Sequence, residues 1–170
     1  MGCDIHLHLE YCLYGTPKDG SPKYWSYMGE LHPGRNYSVF AGMAGVRGNF
    51  EWSFEPRGYP DDISWWTASE IFRIVVADED VECDYHVGKT QADAWLAAKY
   101  SKRVIVGKGQ TNYITNPDYH TPSWLNTKEY AEVCDLLGDD AGPQYLGILA
   151  MMERMEEDGI ECRLVFAFDN

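Results

Sequence analysis

The stretch CDIHLHLEYCL, residues 3–13, alternates between apolar and polar side chains. Because successive side chains of a β-strand point to opposite faces, the alternation predicts a strand with one apolar face buried in a core. The other face then carries Asp4, His6, His8 and Glu10, about 7 Å apart at every second residue. This stretch therefore predicts both a strand of the main sheet and a row of polar groups along one side of it.

Imidazole and carboxylate groups are common ligands of Zn and Mn, and a His-x-His pair can direct two rings to one ion. We therefore expect a divalent metal, Zn or Mn, at Asp4, His6 and His8, with His6 and His8 also catalytic. Asp61 and Asp62 are the further ligands we expect from a distant loop. The alternative, which is the more common explanation of such a pattern, is that this polar row is the solvent face of an edge strand, which is ordinary in antiparallel sheets.

Composition bounds the class of protein. The chain has 170 residues, 45% of them hydrophobic, which predicts a single compact domain over residues 1–170. Its formal net charge of −13 disfavours binding to duplex nucleic acid or anionic membranes. We find neither a long apolar run nor a signal-peptide pattern, so we expect a cytosolic protein. The five cysteines include no CxxC pair and suit reduced thiols.

The rest of the chain alternates between helical and extended patterns. The predicted elements are a hairpin turn at 15–22 before an aromatic strand at 23–27, a helix at 39–46 capped by Ser38, a helix or strand within 63–76, an acidic loop at 78–84, a helix at 91–100 capped by Thr90, a strand at 103–106, a polar loop at 108–120, a helix from Thr127 to Gly138, a helix from Pro143 to Gly159 and a strand at 161–168. This order predicts an α+β fold. We expect a mainly antiparallel or mixed sheet, paired first and last strands, and about three to five helices.

A second group of polar residues lies in a segment interrupted by proline and glycine. Arg57 is suited to holding a phosphate or carboxylate in a bidentate clamp, and Asp61 or Asp62 to ligating a metal or accepting a proton. A purely structural alternative is that the aspartates cap the following helix and pair with Arg57. Further ligand-binding donors expected from the same region are Arg35, Tyr37 and Arg47.

A third group lies at residues 118–125. His120 is suited to shuttling a proton, with Asp118 orienting its ring, while Ser123 hydrogen-bonds an oxyanion and Trp124 stacks on a ligand. The alternative is a loop whose hydroxyl groups satisfy nearby backbone donors.

Five segments carry a resemblance to known proteins. They are MGCDIH at 1–6, RNYSVFA at 35–41 with GVR at 45–47, PRGYPDD at 56–62, DYHTPSWL at 118–125 and RLVFAFDN at 163–170. Together they resemble a family of small proteins encoded by tailed bacteriophages and prophages. The resemblance implies a setting, the cytosol of an infected bacterium, and no particular activity. The family usually has serine and a variable residue where this chain has Thr121 and Pro122.

We expect these groups to converge in one pocket over the polar side of the first strand. Its aromatic walls would be Tyr37, Trp65, Trp66 and Trp124. Such a pocket suits a small phosphorylated or nucleotide-like ligand, because arginine holds phosphate and aromatic rings stack on a base. Two functions follow: metal-assisted hydrolysis of a signalling nucleotide, or sequestration of such a molecule to counter a bacterial defence. A weaker alternative is an acidic inhibitor that binds a protein, and homo-oligomerisation is left open.

Overall fold

The computed structural model describes residues 2–15, 17–48, 50, 52–77, 79, 81, 83–106 and 109–170, with only the backbone at 110 and 111. In chain order the elements are β1 (Asp4–Cys12), β2 (Ser26–Leu31), α1 (Tyr37–Ala44), α2 (Trp65–Ile71), β3 (Phe72–Val76), β4 (His86–Gly88), α3 (Lys89–Ala97), β5 (Arg103–Val106), β6 (Gln110–Thr115), β7 (His120–Asn126), α4 (Thr127–Leu137), a 3-10 turn (Gly138–Ala141), α5 (Pro143–Glu157) and β8 (Glu161–Asp169).

The strands form two four-stranded sheets. The first, sheet A, has the order β2-β1-β8-β7 and is antiparallel throughout. The second, sheet B, has the order β4-β3-β6-β5 and is mixed, because β3 and β4 run parallel. Strands β1 and β8 pair from Asp4↔Asp169 to Cys12↔Glu161. The predicted α+β class and the pairing of the first and last strands are therefore confirmed.

Both faces of sheet A are covered. Leu7 and Leu9 of β1 and Phe166 of β8 pack with residues of α1, α4 and α5 in the largest hydrophobic cluster. On the opposite face, Val165 of β8 packs with Phe72 and other residues of α2, β3, β5 and β6. The polar side of β1 therefore faces the interior between the two sheets over part of its length. The edge-strand interpretation is wrong, because β1 lies between β2 and β8.

Several local predictions are confirmed and others need correction. Strand β5 and helices α4 and α5 lie where the sequence predicts them, and the ambiguous segment 63–76 contains a helix followed by a strand. The aromatic strand begins at Ser26, later than predicted. Helix α3 begins at Lys89 after Gly88 and has no side-chain cap, so Thr90 is not its cap. The predicted acidic loop at 78–84 lies partly outside the described residues.

Strand β6 occupies the segment predicted to be a polar loop. Tyr113 packs in the cluster between the sheets, while its neighbour Ile114 packs in a separate cluster with Val87 and Ala92. Because both faces of this strand are buried at that point, two adjacent apolar residues replace the alternating pattern that would have revealed a strand.

Helix α1 is capped by Asn36 rather than by the predicted Ser38. The Asn36 side-chain oxygen accepts hydrogen bonds from the backbone N–H groups of Ser38 and Val39 at 3.1 and 3.2 Å. Its amide nitrogen donates to the carbonyls of Asp140 and Ala141 at 2.9 and 3.0 Å. Asn36 therefore joins the start of α1 to the turn between α4 and α5.

We expect Asn36→Ala to lower the free energy of unfolding by about 1–2 kcal/mol, because it removes both the cap and this link. The matched variant Asn36→Asp keeps the capping oxygen and loses only the amide donor, so it should retain much of the stability. Urea unfolding of the three proteins measures both effects. Equal stability of Asn36→Ala and the unchanged protein would contradict the assignment of the cap.

No helix among the described residues has the length and apolar character needed to cross a bilayer.

Candidate functional site

The polar side chains of β1 do not share one cavity: Asp4 and His6 line one, whereas Glu10 contacts Arg163, which lines another. One cavity, the His6 pocket, has a volume of about 330 Å³ and is lined by Asp4, Ile5, His6, Glu30, His32, Pro33, Gly34 and Asp169. The other, the Trp cleft, has a volume of about 690 Å³ and is lined by Lys23, Trp25, Arg57, Tyr59, Pro60, Asp61, Asp62, Trp124, Asn126, Glu161 and Arg163. His6 and Glu10 are four residues apart on one strand, about 13 Å. The single pocket that the sequence predicts is therefore two sites.

In the His6 pocket, an imidazole lies between two carboxylates. His6 Nδ1 is 3.3 Å from Glu30 Oε1, and His6 Nε2 is 3.0 Å from Asp169 Oδ2. The ring of Tyr119 stacks on the imidazole at a centroid distance of 4.3 Å, and its hydroxyl is 3.3 Å from His6 Nδ1. A neutral imidazole has one N–H and donates to only one of these groups at a time, whereas the protonated ring donates from both nitrogens. These contacts hold the imidazole between the two carboxylates and the Tyr119 ring.

Asp4 lines the same pocket and is held by Arg35. The guanidinium binds both carboxylate oxygens, with Nε–Oδ1 and Nη2–Oδ2 distances of 2.5 and 2.6 Å. Hydrogen bonds from Arg35 lower the pKa of Asp4 from its ordinary value. Nearby, the Tyr37 hydroxyl accepts a hydrogen bond from the Cys3 backbone, and Arg47 donates to Asn170. The three predicted donors Arg35, Tyr37 and Arg47 therefore bind residues at the ends of β1 and β8.

His8 lies between the two cavities and lines neither of them. His8 is only 2% exposed to solvent, and its Nδ1 atom has no hydrogen-bond partner among the described residues. Burial lowers the pKa of His8 to about 4, so the ring is neutral at physiological pH. The part of the chain that the structure describes contains no group of three or more His, Cys, Asp or Glu side chains placed to hold a metal ion.

The Trp cleft is built around a buried ion pair. Arg163 Nε and Nη2 both lie 2.7 Å from Glu10 Oε2, and Arg163 Nη1 lies 2.6 Å from Asp62 Oδ1. The same guanidinium lies 3.9 Å from the ring centroid of Trp25, whose indole nitrogen donates to Asp62 at 2.8 Å. Glu10 also accepts a hydrogen bond from the Ser64 backbone, at the start of α2. Asp62 thus has both oxygens engaged.

Arg57 lies over the ring of Trp124, the second tryptophan of the cleft. Its guanidinium carbon is 3.6 Å from the ring centroid of Trp124, within the range of cation–π contacts. Nη1 and Nη2 bind the two oxygens of Glu129 at 2.9 and 2.5 Å, and Nε donates to the Trp124 carbonyl at 2.9 Å. The buried Ser123 hydroxyl accepts from the Arg57 backbone at 3.3 Å. Ser123 therefore supports the Arg57 loop from within the protein.

Carboxylates outnumber cations around the Trp cleft. Lys23 binds Glu161, while Arg57 and Arg163 have the partners given above. Asp61 lines the cleft and has no partner within the described ranges. An anionic ligand must therefore compete with internal carboxylates for each of these cations. A ligand that stacks on the rings of Trp25 and Trp124 does not have to displace a carboxylate.

The remaining predicted residues lie apart from both cavities. His120 pairs with Phe168 in sheet A and its ring lies against the Phe168 ring, which packs with α1. Its Nδ1 is 2.8 Å from Thr121 Oγ1, and its buried Nε2 has no partner among the described residues. The backbone N–H of Asp118 donates to the side-chain oxygen of Asn116 at 3.1 Å, within a turn. Asp118 thus makes no described contact with the ring it was expected to orient.

Trp65 and Trp66 pack edge to face on the surface, with centroids 4.8 Å apart. Trp65 lines an adjoining cavity of about 590 Å³, which shares Lys23, Trp25, Asp61 and Asp62 with the Trp cleft. Both are absent from the lining of the Trp cleft.

Four residues that line these two cavities were not predicted from the sequence: Trp25, Glu30, Arg163 and Asp169. One signal was present for Arg163, because a cation inside a predicted buried strand requires a buried partner. The partners of His6 carried no such signal, because Glu30 and Asp169 reach it only through the pairing of three strands.

Comparisons with protein-family models, with curated proteins and with solved structures found no match to this chain.

Proposed function

We propose that this protein is a non-catalytic binding protein for a small planar, nucleotide-like ligand, which it holds in the Trp cleft. The observation that carries the proposal is the packing of two guanidinium groups against Trp25 and Trp124 in an open cavity of about 690 Å³. Base–aromatic stacking contributes about 1–3 kcal/mol per base and needs no reaction chemistry. With the phage resemblance, this suits sequestration of a nucleotide signal in the host cytosol.

Phosphate recognition in the cleft would fall to Arg57. This guanidinium is about one-third exposed and is paired with Glu129, whereas Arg163 is buried with Glu10. A phosphate would therefore displace Glu129 from Arg57. The strength of the Arg57–Glu129 ion pair would then limit the affinity gained from the phosphate. A nucleoside, which has no phosphate, would bind through stacking alone.

We expect Trp124→Leu to weaken nucleotide binding about tenfold or more, because it removes a stacking face and keeps an apolar side chain. The matched control is Trp66→Leu, which removes a more exposed indole outside the cleft. Isothermal titration with a panel of nucleosides, mononucleotides and cyclic nucleotides measures the affinities. Absence of binding by the whole panel, or an equal loss in both variants, would overturn the proposal.

Glu129→Gln tests the phosphate contact separately. Glutamine keeps the capping box of α4 with Asn126 but removes the charge that competes for Arg57. Binding of a mononucleotide should therefore tighten by about three- to tenfold, while binding of the nucleoside stays the same. A mononucleotide affinity that does not change would place the phosphate elsewhere.

Metal-assisted hydrolysis is the second candidate, and the His6 imidazole between Glu30 and Asp169 favours it. Chromatography of the nucleotide panel after incubation with Zn, Mn or a chelator distinguishes the two functions. Release of unchanged ligand on heat denaturation supports binding alone. Conversion that is lost in His6→Gln would support hydrolysis in place of sequestration.

A further inference from the structure

Another cavity, the Cys83 pocket, lies beside sheet B and shares no lining residue with the His6 pocket or the Trp cleft. It has a volume of about 650 Å³ and is lined by Arg73, Val81, Cys83, Asp84, Tyr85, His86, Val87, Gln91 and Trp95. Cys83 is exposed, whereas Cys3, Cys12, Cys134 and Cys162 are buried. Among the described cysteines, the one accessible thiol therefore lies in this cavity.

The thiol has a base beside it. A tight turn returns the chain from Cys83 to His86, whose backbone N–H donates to the Cys83 carbonyl at 3.3 Å. This turn places Cys83 Sγ 3.7 Å from His86 Nδ1, within hydrogen-bond distance for sulfur. A thiol paired with an imidazole is the arrangement by which proteins generate a nucleophilic thiolate.

The same cavity contains a cation available to a ligand. Within the described part of the chain, Arg73 has no hydrogen-bond or ion-pair partner, in contrast to Arg35, Arg57 and Arg163. A guanidinium offers planar pairs of N–H donors that match a carboxylate. Arg73 therefore provides a contact for a carboxylate on a molecule that reaches Cys83.

We propose that Cys83 is a reactive thiol that exchanges with small disulfides bearing carboxylate groups, with His86 as its base and Arg73 as the group that binds the carboxylate. Cys83 gives its proton to His86 Nδ1, and the thiolate attacks one sulfur of the disulfide. A bond forms between that sulfur and Sγ as the original S–S bond breaks. The second sulfur leaves as a thiolate and takes up the proton. Cys83 ends as a mixed disulfide, and half of the reagent is reduced to a thiol.

The test compares glutathione disulfide, which carries carboxylates, with cystamine, which carries only amines. Each rate is divided by the rate of the same reagent with a free small thiol, and the adduct is located by peptide mass spectrometry. We expect one adduct, at Cys83, and none in Cys83→Ser. The corrected rate with glutathione disulfide should exceed that with cystamine about fivefold or more. Arg73→Gln should abolish this preference, whereas the control Arg103→Gln, outside the pocket, should retain it.

The pH dependence tests His86. Among the described residues, the other titratable groups lining the cavity are Arg73, Asp84 and Tyr85, while α3 contributes the uncharged Gln91 and Trp95. At neutral pH, His86→Gln should react about tenfold more slowly, and its rate should approach that of the unchanged protein near about pH 9, where ordinary thiols ionise. Equal rates for His86→Gln and the unchanged protein at neutral pH, or equal corrected rates for the two disulfides, would overturn the proposal.

Discussion

Replacing Arg163 with methionine is expected to lower the free energy of unfolding by about 3–5 kcal/mol. Arg163 is 2% exposed and its partner Glu10 is fully buried, between the two sheets. The substitution leaves the fully buried Glu10 carboxylate without its cation. Asp62, the other partner of Arg163, is partly exposed and is expected to be solvated at little cost.

The double variant Glu10→Gln with Arg163→Met separates loss of the cation from loss of packing. Glu10→Gln removes the buried charge and keeps an oxygen that accepts the hydrogen bond from the Ser64 backbone, so the double variant should be more stable than Arg163→Met alone. The control is Arg154→Met, which breaks exposed ion pairs with Glu157 and Asp158 and should cost less than about 1 kcal/mol. Denaturant unfolding measures all four proteins. If Arg163→Met lowered the free energy of unfolding by less than about 1 kcal/mol, the fold would not depend on the buried ion pair between Arg163 and Glu10.

Stability is expected to fall between about pH 6.5 and pH 4 as His8 resists protonation in the folded protein. Burial lowers the folded pKa of His8 to about 4, whereas an unfolded histidine has an ordinary pKa near 6.5. The unfolded chain therefore binds a proton in this window that the folded chain does not, and acid favours unfolding. At about pH 4.5 this one group should account for roughly 2–3 kcal/mol of lost stability.

His8→Leu removes this proton from the unfolded state and keeps an apolar side chain at the buried position. Its stability should therefore fall less between neutral pH and about pH 4.5 than that of the unchanged protein, by the same roughly 2–3 kcal/mol. Carboxylates titrate in both proteins, so the difference between the two pH dependences isolates His8. His32→Gln, at an exposed position, should leave the dependence unchanged. Parallel stability curves for His8→Leu and the unchanged protein would contradict a neutral buried ring.

The two central strands of sheet A were predictable because burial on one face and burial on both faces each give a characteristic residue pattern. Alternation in β1 marks one apolar face, and the nearly continuous apolar run of β8 marks a strand covered on both sides. Strand β6 shows neither the alternating nor the continuous apolar pattern, because its buried residues Tyr113 and Ile114 are adjacent and its other residues are polar. Ser38 and Thr90 were plausible caps by residue type, but the backbone begins each helix at a different residue.

The candidate site was predictable in its residue types and not in its partners. The alternation of β1 correctly placed His6, His8 and Glu10 on one side of the strand. Whether each was exposed, paired or isolated depended on residues far along the chain, such as Arg163 for Glu10 and Asp169 for His6. Periodicity within one strand carries no information about such contacts, so the division into two cavities emerged only in three dimensions.

The central position of β8 determines when sheet A can assemble during synthesis. Strand β8 pairs with both β1 and β7, yet it leaves the ribosome after all the other described strands. The β1–β2 hairpin can form early, but β8, the second neighbour of β1, begins only about 130 residues after the end of β2. Nascent chains stalled before residue 161 should therefore lack protease resistance in sheet A, and chains that include β8 should acquire it in a single late step.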